Sequence, residues 1–175
     1  MKRKLITAAG ALLLAVIFAS SVSAQQAKAP RKPADFVKEL MALSGADKAD
    51  PKIIVAERSD GAYQYVKLLK GNHVVGYGTW AQDVKVYNHR EDFIAIINAD
   101  ATLKDFKLID ANEKHPKAND PAWKTRFIGM NYKRNFDNDV DVNTGSTFSS
   151  YMFFSELKGM LFAFQKYVVD AKLLK

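Results

Sequence analysis

The sequence predicts an α+β domain: a twisted, mainly antiparallel sheet packed by a few helices, with a long C-terminal helix. Three observations predict it. Strand-like runs, paired across short turns or polar loops, occupy residues 53–109. A short amphipathic segment precedes them. A helix-spaced, unusually aromatic segment from near Ser149 to near Leu174 follows them.

Lys2-Arg3-Lys4, the apolar run Leu5–Ala19 and the small-residue site Val22-Ser23-Ala24 have the pattern of an export signal. Cleavage after Ala24 and a periplasmic location are expected. The alternative is an uncleaved N-terminal anchor. The apolar run is shorter than the roughly 20 residues that a spanning helix needs. Residues 25–32 read as a polar, flexible leader, and 33–175 as a single domain. Pro33 suits the first position of a helix carrying Phe36, Val37, Leu40, Met41 and Leu43, and Gly45 ends it.

Ile53-Ile54-Val55 predicts a short strand. Residues 63–69 and 73–80 predict a hairpin turning at Gly71-Asn72. Residues 93–97 and 103–109 predict a second strand pair around a polar loop, and the alternation of the latter suits a sheet with one wet face. Gly76-Tyr77-Gly78 lacks the third glycine of a dinucleotide fingerprint and reads as a turn in a strand pair. Residues 112–121 are polar with two prolines, an exposed loop. Asp120 then caps a short helix that ends at Gly129. In the last helix Phe153, Leu157, Met160, Leu161, Phe164 and Val168 mark one face. Tyr151, Phe154, Phe162 and Tyr167 would be covered by sheet and loops or border a flat ligand.

Charge and composition narrow the chemistry. The 175-residue chain has no cysteine, which excludes disulfides, thiolate metal sites and thioether haem. The signal holds three of the 26 basic residues and none of the 19 acidic ones, so +4 of the formal +7 remains after cleavage. The basic residues are scattered among acids, and no nucleic-acid partner is expected. His73, His89 and His115 have no metal-ligand spacing. Residues 137–141 are rich in oxygen ligands but lack the glycine and glutamate of an EF-hand loop, so no metal is expected and an acidic turn is the plainer reading.

Asp141-Val142-Asn143-Thr144-Gly145-Ser146-Thr147 is the most informative stretch. It leads into the last helix, whose unpaired N–H groups and positive dipole end favour a phosphate. The plainer reading is a capped loop, with Thr147 or Ser149 satisfying the first N–H groups.

The run Asp141–Ser150 resembles the signature of the FMN-binding domain family, which includes the periplasmic flavin subunits of the sodium-pumping NADH:quinone oxidoreductase and of the Rnf complex. That signature runs Asp, two variable residues, Ser or Thr, Gly, Ala, Thr. Asp141, Thr144 and Gly145 match, and Ser146 stands where the family usually has alanine. The resemblance implies FMN joined to Thr147 through a phosphothreonine ester, made by a flavin transferase that uses FAD. It implies Thr144, Gly145, Ser146 and Ser149 around the phosphate, with Asp141 bracing the turn or assisting the transferase. Asn112-Glu113-Lys114-His115-Pro116 resembles the family loop that helps hold the isoalloxazine ring, which makes His115 a ring-side candidate. The implied function is that of an exported electron-transfer flavoprotein, with no catalytic residue of its own. Its partner would be a membrane or haem-bearing redox protein, and peripheral membrane contact is compatible with it. Two alternatives stand beside it. One is a noncovalent module for a phosphorylated or acidic small molecule, or for another exported protein. The other is a flavin-dependent reductase with its own substrate.

Overall fold

The computed structural model describes residues 29–58, 61–86, 89–109, 119–137, 141–142 and 147–174. The expected export signal, most of the expected leader and the loop around His115 lie outside them. Helix α1 spans Pro33–Ser44 and five strands follow: β1 Lys48–Arg58, β2 Gly61–Lys70, β3 His73–Val86, β4 His89–Ile97 and β5 Leu103–Leu108. The short helix α2 covers Pro121–Lys124 and the long helix α3 covers Thr147–Phe164, continued by a wider π-helical turn over Gln165–Val169.

The strands form one open sheet in the order β1-β2-β3-β4-β5, every neighbouring pair antiparallel. The fold is α+β, as the sequence predicts. β1, β3 and β4 run well past the apolar stretches that signalled them. Their extensions carry polar residues, and main-chain pairing with a neighbour holds them there.

The sheet is covered on both faces. On one face Phe36 and Leu40 of α1 pack with Val66, Leu68, Ile94 and Ile96. Phe36 stacks on Trp80 with ring centroids 5.6 Å apart and planes 7° from parallel. On the other face α3 and residues 123–130 bury Tyr65, Tyr77, Phe93, Ala95, Ile97 and Phe106. Phe93 to Ile97 are therefore all buried, which explains their unbroken apolar run. Exposed strand positions remain at β5, where Lys104 lies between buried Leu103 and Phe106, and at β1, where Ile53 and Val55 face solvent.

The glycines of 76–78 do not form a turn; they lie within β3. A methyl group added at Gly78 would come within 2.7 Å of Leu40, so the missing side chain is what lets α1 approach the strand. Gly71 makes the β2–β3 turn with φ +59, and Gly45 ends α1 with φ +67.

The start of α1 is fixed. The Lys32 N–H donates to the Asp35 carboxylate at 3.0 Å, and Arg31 Nε pairs with Asp92 at 3.1 Å, which ties the entry of the helix to β4. The outer edge of β5 is capped by reciprocal bonds between Asn119 and Leu108 and between residues 129–130 and Leu103. β1 is blunted by Pro51 and by the register shift between Ala49 and Ile53.

Candidate functional site

Asp141 is the fixed point below the start of α3. It is fully buried, and Arg134 Nη2 pairs with its Oδ1. Asp137 N–H donates to Oδ2 at 2.9 Å, and Asp141 N–H donates back to the Asp137 carbonyl at 2.7 Å. The indole Nε1–H of Trp123 donates to the Asp141 carbonyl at 2.9 Å. Carboxylate, amide and carbonyl are thus all engaged, which a buried acid requires.

Local sequence explains how these partners arrive. Asp120 accepts from Ala122 N–H at 2.9 Å and Pro121 opens α2, so one helical turn forms and presents Trp123 inward. Residues 125–129 leave the helix in turns, and Gly129 adopts φ +81. The expected short helix is therefore shorter, ending at Lys124. Trp123 and Phe127 meet edge to face at 5.0 Å, and each also contacts Phe106. The Arg134 guanidinium lies 5.3 Å from the Phe127 ring centre and 5.8 Å from that of Phe154, so its charge rests on two aromatic faces and one carboxylate.

The helix start carries a second aromatic group. Tyr151 is 50% exposed and meets Phe136 edge to face at 5.4 Å; Phe136 in turn meets Phe154 at 5.3 Å. Positions 147, 151, 154 and 158 fall on one stripe of an α-helix. Thr147 is the first residue of α3, and its side chain lies outside the described atoms. Ser149 and Ser150 are buried at 6% and 2% exposure. Thr144, Gly145, Ser146 and His115 lie outside the described residues.

Of the expected site residues, Asp141, Thr147 and Ser149 are thus placed at one end of α3. The aromatic residues of that helix divide more sharply than expected. Phe153, Phe154 and Phe164 are core, whereas Tyr151, Phe162 and Tyr167 are exposed. Sequence reading missed Arg134, Trp123 and Phe136. The signal that could have found them is the run of four aromatics, Trp123, Phe127, Tyr132 and Phe136, interleaved with cations in the twenty residues before Asp141. Among the described residues no cluster of three or more His, Asp or Glu is arranged to hold a metal ion, and no helix is long and apolar enough to cross a membrane. No protein-family model matches the chain, and no curated protein matches it.

Proposed function

We propose that this protein is an exported flavoprotein that carries FMN in a phosphoester on Thr147 and passes electrons between periplasmic or membrane redox partners. The observation that carries the reading is the position of Thr147. The last residue of the seven-residue pattern is the first residue of an 18-residue helix. A phosphate there would meet the unpaired N–H groups and the positive dipole end.

The surrounding residues fit the group. Asp141, six positions earlier, would repel a phosphate if its charge were free, but Arg134 neutralises it. Tyr151, one turn on and half exposed beside Phe136, offers an aromatic surface to a flat ring. A bound flavin would supply one- and two-electron chemistry, and the chain would set its orientation and exposure. The Thr147 hydroxyl oxygen bonds to the FMN phosphorus of FAD, the pyrophosphate link breaks, and AMP leaves with the proton.

The test is intact mass after co-expression with a flavin transferase. The expected mass is that of the mature chain plus FMN less one water, with a yellow colour that survives acid precipitation. Thr147→Ala removes both. An unmodified mass in the wild-type protein would overturn the reading.

A further inference from the structure

A second site lies in the fork between two β-hairpins, on a different stripe of α3. The β2–β3 ladder stops at Tyr65–Thr79. The β1–β2 arm stays paired to Arg58–Gly61, and the β3–β4 arm to Val86–His89. Both arms therefore continue as sheet after they part. A cleft of about 550 Å³ occupies the gap, with Tyr63 on one arm, Gln82, Val84 and Lys85 on the other, and Met152 and Glu156 of α3 between them. That volume lies within the roughly 300–1,000 Å³ of small-molecule pockets.

The fork is built by the chain's own interactions. β3 slips register between Ala81 and Val84, and Asp83 takes φ +57 there. A left-handed φ at a residue with a side chain costs free energy and persists where its surroundings hold it. Here Asp92 Oδ1 accepts the Asp83 N–H at 2.8 Å, and Arg90 donates to the Asp83 carbonyl at 2.8 Å. Bulges of this kind re-aim the residues beside them.

The chemistry of the cleft is specific. Tyr63 Oη donates to Glu156 Oε1 at 2.6 Å and orients the carboxylate, leaving Oε2 as an acceptor with no partner among the described residues. Lys85 makes no ion pair among the described residues. An acidic residue, Glu156, and a basic one, Lys85, thus both line one cleft, together with the apolar Met152 and Val84.

We propose that the fork binds a small zwitterion, an amino acid with an apolar side chain. Its ammonium group pairs with Glu156 beside the Tyr63 ring, and its carboxylate pairs with Lys85. Its side chain lies against Met152 and Val84. The site owes nothing to a group at Thr147, since positions 152 and 156 fall on the far side of the helix from position 147.

The experiment titrates mature protein, both wild type and Thr147→Ala, with phenylalanine, phenethylamine and 3-phenylpropionate. Calorimetry and amide chemical shifts are the readouts. Saturable phenylalanine binding is expected in both proteins, with shifts at Ala62, Gln82 and Met152. Each probe with a single charge binds more weakly. Glu156→Gln weakens phenylalanine about tenfold, the scale of a lost charge-assisted hydrogen bond. A Met152→Trp variant, which fills the cleft, abolishes the shifts and decides the matter if Glu156→Gln fails to fold. Absence of saturable phenylalanine binding at millimolar concentration overturns the proposal. So does unchanged affinity in a folded Glu156→Gln variant, or 3-phenylpropionate binding as tightly as phenylalanine. Because Thr147→Ala carries no flavin, these outcomes are independent of the flavin reading.

Discussion

The guanidinium of Arg134 meets a carboxylate, that of Asp141, which has no solvent exposure of its own. The arginine is itself about one quarter exposed and spans the Phe127 and Phe154 rings. The pair is thus half in water and half in the core, and its two members are not equivalent. Arg134→Leu leaves a buried charge with only the Asp137 N–H for compensation. The expected loss is about 3–5 kcal/mol in urea unfolding. A smaller loss in Arg134→Leu combined with Asp141→Leu would separate the cost of the orphaned charge from the worth of the pair.

Trp123→Phe keeps the aromatic contacts of α2 and removes the donor to the Asp141 carbonyl. Leaving that carbonyl unpaired should cost about 1–3 kcal/mol. Denaturant midpoints read by far-UV circular dichroism check this, and a change within error would show that the carbonyl finds another donor.

Gly78→Ala should lose about 1–3 kcal/mol by overpacking against Leu40. Leu40→Ala alone loses about 2–5 kcal/mol by opening a cavity. If the 2.7 Å approach is the cause, the double variant is more stable than the two losses summed. Additivity in the double-mutant cycle would contradict the contact.

Tyr77 is 4% exposed, and burial pushes its phenol above the ordinary value of 10.0. The native state therefore holds that proton more tightly than the unfolded chain does. Its contribution to stability is complete below pH 10.0 and is lost as pH rises from there through the folded pKa. Tyr77→Phe should flatten the decline of stability above pH 10.0 and leave the neutral range unaffected by titration. Parallel urea melts across that range decide it.

The sheet was readable from the sequence because turn residues and apolar runs agree. Gly71-Asn72 joins two β-rich segments, and Gly71 adopts the left-handed φ that such a turn uses. Strand ends were not readable, since Lys85, Val86 and His89 pair through the main chain whatever their side chains. The glycines at 76 and 78 suggest a turn because local sequence does not reveal that Leu40 lies across the strand. The same limit hid Arg134. Asp141 could be singled out by its place in a motif, but its partner is chosen by the three-dimensional path of residues 123–137. The Tyr63–Glu156 bond joins residues 93 positions apart and leaves no trace in local sequence.

The strand order 1-2-3-4-5 has a kinetic meaning. Each strand pairs with the one made just before it, so ladders can close in the order in which the chain is made. The fully buried residues of the α1 face all lie at or before Ile96, whereas the opposite face waits for α3. The two sides of the sheet should therefore acquire protection at different times, the α1 side first. Pulse-labelled hydrogen exchange would show it, and simultaneous protection of both faces would refute it. In that interval the start of α3, with Thr147, would still be an unfolded segment of polypeptide with its hydroxyl open to solvent.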